Sequence, residues 1–455
     1  MSLIKSYMVP HPPMIIPEVG KGSENQIIDT IESYNEIAKE ISEINPETII
    51  ISSPHAPTYT DYFHISNGNI ISGDLKEFGV PNIRFNEELD TELIDEIERI
   101  SNKYNFPAGR GKDTNLDHAS IVPLYFIRKY LPKCKIIVLG FSFLPLIDNY
   151  KMGMIIKEAI DNLNRKVVYI ASGDLSHKLQ EDGPYGFVEE GPLYDKRIMD
   201  VCFNVRFNEI LEFKESFLEK ASECGHRSFT IMAGLYDGLN VESKFYSHED
   251  ITGVGYGIIS FKPLDKNNDR CFYKKYLERE KQRVISIDEY VNLAKKAIFE
   301  YIKNNKVIEI PYNTSKELLE ERQGVFVSIH KFDKLRGCIG TFLPVTDNVA
   351  SEIIRNAIEA STNDQRFNKI TEEELEYLEI NVDVLSKPES INDKSKLDPK
   401  KYGVIVTSNY KRGLLLPDLE GIDDVETQIS IAKKKANIND NEEIKLQRFE
   451  VIRHK

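Results

Sequence analysis

The chain has 455 residues, too many for one ordinary hydrophobic core, so two or three domains are expected. Hydrophobic residues make up 41% and charged residues 29%, as in water-soluble globular proteins. The net charge of −14, from 59 Lys+Arg against 73 Asp+Glu, argues against nucleic-acid binding as the main task, and no run approaches the ~18 apolar residues that span a bilayer.

From the start to residue 262, short apolar runs alternate with helical patterns. Strands are expected at Thr48–Ser52, Lys135–Leu139, Val167–Ile170 and Gly257–Phe261. Amphipathic stretches such as Asn25–Ile44 and Thr91–Ser101 separate them, and Phe229–Leu235 is apolar enough for a buried helix. Such alternation predicts an α/β fold, a mixed central sheet with helices on both faces, over residues 1–262. Residues 263–284 are charged, open with Pro263, and read as a linker or a solvated connecting helix. A second unit, 285–455, starts where Ser286 precedes Asp288-Glu289 and an apolar-periodic run to Ile302. Strands at Gly324–Ile329, Leu378–Leu385, Tyr402–Val406 and Gly413–Leu416, with helices at Val349–Ser361 and Asp424–Lys434, predict a separate α+β domain. Lys433-Lys434-Lys435 reads as a solvated helix face. No internal repeat or low-complexity segment is evident. Five cysteines (Cys134, Cys202, Cys224, Cys271, Cys338) form no CxxC pair, and the opening MSLIKSYMVPHPP has no leader-like apolar region, so a reducing cytoplasm is expected.

Seven of the nine histidines precede residue 250. His11 stands in Val9-Pro10-His11-Pro12-Pro13, and His55 in Ser53-Pro54-His55-Ala56-Pro57 directly after Ile49-Ile50-Ile51. Proline fixes φ and removes backbone donors, so both imidazoles are stiffly mounted. One such histidine is an ordinary loop residue; two of one design at sheet edges predict a metal pair. In Ser222-Glu223-Cys224-Gly225-His226-Arg227, Glu223 would complete a set of two histidines and a carboxylate, which leaves several positions open on Fe(II). Cys224 is the alternative ligand, because a thiolate also binds metal. An acidic first turn of a helix is the competing structural reading of Glu223. The stretch Val167–His177 reads as a buried strand that breaks through Ala-Ser-Gly into a loop carrying Asp174 and His177. A helical turn after Gly173 would project both to one side, with Asp174 orienting His177 for acid/base work. His118, in Leu116-Asp117-His118-Ala119, repeats the Asp-His pair, for which helix capping is the structural alternative. His64, His226 and His248 read as structural or supporting residues.

The ordered series VPHPP, SSPHAP, LDHAS, GDLSH and ECGHRS resembles the class III extradiol ring-cleaving dioxygenases (LigB-type) and their MEMO relatives, over residues 5 to 262. The resemblance implies His11, His55 and Glu223 as iron ligands, His177 as the acid/base, and His118 as a second histidine near substrate and dioxygen. In MEMO-like relatives a cysteine takes part at the carboxylate's place, which leaves Glu223 against Cys224 open. Leu335-Arg336-Gly337-Cys338-Ile339-Gly340, followed by DQRF, VDVLSKP and GLLLP, is similar to the AMMECR family over residues 285 to 455. A fusion of the two halves resembles the two-domain proteins of the AmmeMemoRadiSam system, which implies a radical SAM protein as partner and a homodimer. Within LRGCIG, Arg336 could pair an anion or stabilise a Cys338 thiolate, while a small buried side chain in a tight turn is the plainer reading of Cys338.

These readings predict a dioxygenase-like protein with Fe(II), or Zn or another divalent metal, acting on a small, catecholic or related aromatic substrate. Two rivals keep the same pocket: a non-turnover metal-binding or maturation protein, and a metal-dependent hydrolase with His177 as base.

Overall fold

The computed structural model describes residues 2–112, 115–283, 288–419, 421–439 and 441–455. The fold is mixed α/β, 39% helix and 27% strand. It separates into two compact units, one ending at Tyr276 and one beginning at Leu277.

The first unit is built on an eight-stranded sheet. At its centre the apolar strands Thr48–Ser52, Val167–Ser172 and Leu3–Val9 lie side by side and parallel. Every residue of Thr48–Ser52 and Val167–Ser172 is buried, so both faces of the sheet are covered. Lys135–Leu139 adds a further parallel strand next to Thr48–Ser52. On the other side Leu3–Val9 pairs antiparallel with Tyr256–Lys266, which forms a hairpin with the edge strand Leu239–Glu249. The sheet is therefore mixed.

Residues 263–284, expected as a linker or a solvated connecting helix, hold regular structure. Pro263 to Lys266 finish a strand, a 3-10 turn follows at Asn268–Arg270, and Phe272–Arg283 is helical. Charge is uninformative here, because an edge hairpin and a solvated helix both carry it. Ser286 and the 284/285 boundary lie outside the described residues. The helix that follows, Glu289–Asn304, is capped by Asp288, whose carboxylate accepts from the Tyr290 and Val291 N–H groups.

The second unit holds two four-stranded antiparallel sheets. One contains Gly324–Lys331, Lys334–Gly340, Leu378–Leu385 and Val451–His454, and its Val327, Ile329 and Val382 share a core with Ala297, Ile353 and Ala357 of two helices. The other contains Gly403–Ser408, Lys411–Leu415, Glu389–Ile391 and Lys445–Phe449, and packs Val404, Val406 and Leu415 under Ile429 and Ala432. A small third cluster of Leu385, Ile405 and Phe449 draws on both sheets.

Candidate metal centre

Three parallel neighbours deliver their carboxyl ends to one edge, where an open α/β sheet presents its chemistry. Leu3–Val9 runs into Pro10-His11, Thr48–Ser52 into Ser53-Pro54-His55, and Val167–Ser172 into Gly173-Asp174. His118 arrives as the first residue of the helix His118–Ile127, and Cys224 from the loop before the helix His226–Gly234. His11, His55 and His118 bring ring nitrogens within 4.8 Å of one another, and so do ligand atoms of His11, Asp174 and Cys224.

His11 is the shared member and is fixed on three sides. Its backbone N–H donates to Asp174 Oδ1 (2.7 Å), and the Tyr34 hydroxyl donates to the Pro10 carbonyl before it. Its Nδ1 lies 3.1 Å from Ser172 Oγ, and that hydroxyl donates to the Ala119 carbonyl (2.7 Å). The serine's proton is thus committed, so Oγ accepts and Nδ1 carries the hydrogen. This leaves the lone pair on Nε2, facing His55 Nε2 at 3.2 Å and Cys224 Sγ at 3.7 Å. Donor atoms each about 2.1–2.3 Å from one ion at roughly right to tetrahedral angles sit about 3–3.6 Å apart, so these spacings suit a shared cation. His55 is held through Ser53, whose hydroxyl accepts from the His55 N–H (3.1 Å) and donates to Asp117 Oδ1 (2.7 Å). Asp117 also caps the His118 helix by accepting from Ser120 N–H (3.0 Å), so one carboxylate sets two of the histidine-bearing segments.

Burial, then the neighbouring imidazoles, holds His11 well below its ordinary value; burial and His55 put His118 and His177 at about 4. Burial also lowers His55, against the pull of Asp117. All four are neutral at pH 7 and offer lone pairs. Burial raises the Asp174 carboxyl to about 7, despite the His11 N–H, and pushes the Cys224 thiol well up. Neutral imidazoles, a carboxyl and a thiol crowded together are a donor set that a divalent cation would satisfy, since it favours both anions.

Two expected roles change. Glu223 does not face the histidines: its carboxylate accepts from His226 N–H (2.6 Å), and burial raises it to about 7. The cause is local, because Glu223 pairs antiparallel with Ser176 and adjacent residues on such a bridge point to opposite sides. Cys224 therefore takes the inward place. Asp174 is not seen to orient His177: the segment after Gly173 is not helical, and the carboxylate accepts from the His11 N–H. His177 instead stacks on Tyr185, with centroids 5.3 Å apart. Phe78, at the end of the 3-10 turn Lys76–Phe78, meets His118 at 5.2 Å. No sequence pattern singled out these two aromatics. His226 is structural, its Nε2–H donating to the Ile210 carbonyl (2.9 Å).

In the second unit, Arg336 is spent on Glu374 (2.9 and 3.0 Å) and on the Asn368 and Lys369 carbonyls. Arg366, not Arg336, is the guanidinium beside Cys338, donating to its carbonyl (3.0 Å), while Asp364 accepts the Cys338 N–H (2.9 Å).

Residues 5–259 match the family model described as the catalytic LigB subunit of aromatic ring-opening dioxygenase, and residues 291–454 match AMMECR1. The chain belongs to the LigB family and carries an AMMECR1 domain. A protein of Clostridium acetobutylicum is 40% identical to it over the whole of both chains, and one of Thermotoga maritima is 49% identical over 36% of this chain and 97% of its own. Among solved structures, an uncharacterized Pyrococcus horikoshii protein aligns at TM-score 0.33 with 32% identity, over 36% of this chain and 88% of its own. One from Escherichia coli K12 aligns at TM-score 0.39 with 12% identity, over 56% of this chain and 99% of its own. The LigB domain thus has a candidate His/Asp/Cys metal site at its sheet edge. No described helix is long and apolar enough to cross a membrane.

Proposed function

We propose that the LigB domain is a metal-dependent, dioxygenase-like enzyme that opens a catecholic or related aromatic ring, with Fe(II) as its metal. The observation that carries this reading is the two donor groups that share His11. His11 and His55 would hold the metal, with the remaining position supplied from His118, Asp174 or Cys224. When bound, Fe(II) would supply a Lewis acid for the substrate oxygens and the redox chemistry that dioxygen requires. His177, neutral at pH 7, takes a proton from a substrate hydroxyl and returns it. Phe78 and Tyr185 offer flat apolar faces beside His118 and His177, which suits an aromatic substrate.

Protein loaded anaerobically is expected to hold one Fe(II) per chain, and to consume oxygen with a ring-opened product on a catechol panel. His11→Ala and His55→Ala should each lose the metal. Unchanged iron content in both variants sinks the reading.

Cys224 supports a second reading, a metal-binding or maturation role beside a radical SAM partner, because a thiol in the donor set is itself open to oxidation. Tight metal binding without oxygen uptake, together with co-purification of such a partner, favours it. Zinc retention under mixed metal supply would point to hydrolysis instead.

A further inference from the structure

A cavity of about 500 Å³ opens in the AMMECR1 domain, and its lining includes no residue of the metal centre. Segments from both sheets of the domain build it. Gly324 and Phe342 to Pro344 come from the ends of the first sheet's strands, and Leu385 to Pro388 from the turn after Leu378–Leu385. The second sheet contributes Ile405, Arg412 and Gln447.

The register explains why these last three share a wall. Ile405 pairs with Gln447 across the ladder, and Thr407 pairs with Arg412. Positions 405 and 407 point to one face, so their partners do too. The opposite face carries Val404 and Val406 and is closed by the helix Val425–Lys435. Gly324 is needed for the approach of the two strand ends, because a Cβ there would lie 2.4 Å from the Thr341 carbonyl oxygen. Buried Ile405 forms an apolar floor, with Phe342, Pro344 and Pro388 around it.

Charge makes the cavity selective. Its lining includes Arg322, Lys387 and Arg412 and no Asp or Glu, in a chain whose net charge is −14. Among the described residues, none of the three cations is in an ion pair. Arg412 lies over the Phe342 ring at 5.5 Å and spends one N–H on Thr407 Oγ1 (3.3 Å), which leaves most of its fork free. Arg322 reaches the Thr346 carbonyl (2.9 Å) through Nε, which leaves its two terminal nitrogens without a recorded protein partner. Two guanidinium forks and an ammonium match a doubly charged phosphate better than a single carboxylate. A volume of this size and an aromatic wall add room for a planar ring.

We propose that this cavity binds a small phosphorylated ligand with a planar ring, of nucleoside monophosphate type. The site is independent of the metal reading and stands or falls without it. Isothermal titration of the full chain with AMP, adenosine and inorganic phosphate tests it. AMP is expected to bind, adenosine and phosphate each at least ~10-fold more weakly, and added salt to weaken AMP. Arg412→Gln and Lys387→Gln, both at exposed positions, should each weaken AMP by ~10-fold, and Lys434→Gln on the helix Val425–Lys435 should not. An absence of AMP binding, equal affinity for phosphate alone, or cavity variants that bind AMP like the parent with unchanged circular dichroism would each overturn it.

Discussion

At the residue scale the centre turns on the hydrogen that Ser172 places on His11 Nδ1. Ser172→Ala frees the ring to take either tautomer and is expected to cost about 10–100-fold in Fe(II) or Zn(II) affinity, as losses of ligand-orienting partners do, while leaving the far-ultraviolet spectrum unchanged. Titration with a chelator competitor measures it. Glu223→Gln makes the contrasting case: its carboxylate faces the His226 N–H, so metal affinity should stay within about twofold while thermal stability falls. Loss of metal in that variant would restore Glu223 as a ligand. The histidines were legible because proline on both sides leaves a mark in the sequence. The choice between Glu223 and Cys224 was not, since it depends on a single bridge to Ser176, 47 positions earlier in the chain (223 − 176).

At the scale of elements, two glycines hold the thiol loop against the central strand. A Cβ on Gly173 would lie 2.1 Å from Gly225 Cα, with backbone on both sides. Gly173→Ala should therefore cost roughly 1–3 kcal/mol in urea unfolding, as overpacking does, and push Cys224 away from His11, weakening metal binding together with stability. In the AMMECR1 domain, the Arg366 guanidinium holds the Asp364 carboxyl down to about 2, helped by the Cys338 N–H. A depressed carboxylate stabilises the fold above its unfolded value, roughly 4, and that contribution is lost as pH falls toward 2. Acid titration of Asp364→Asn should lack this part of the stability loss between about pH 4 and 2; an unchanged acid transition would count against the lock. Central elements were readable because buried parallel strands are apolar throughout: Thr48–Ser52 and Lys135–Leu139 have the expected ends. Leu239–Glu249 was not, because an edge strand with exposed Glu242 and Lys244 looks like any charged loop.

At the scale of the whole molecule, each unit carries its own core. The AMMECR1 domain closes over Val327, Ile353 and Val382 in one layer and Val404, Val406 and Leu415 in another. A chain beginning at Leu277 is expected to fold alone and melt in one cooperative transition, and a broad, non-cooperative melt would refute it. The two-part organisation was visible from the change in character near residue 262, and the division at Tyr276/Leu277 falls within the connecting stretch 263–284. The separation of the donors has one more consequence. His11 and Cys224 meet across 213 positions of chain, so during synthesis the histidines leave the ribosome long before the thiol does. The His11, Asp174 and Cys224 set is complete only once the strand Val167–Ser172 and the loop before the helix His226–Gly234 have docked, which would make metal capture there a late event that reports a finished domain.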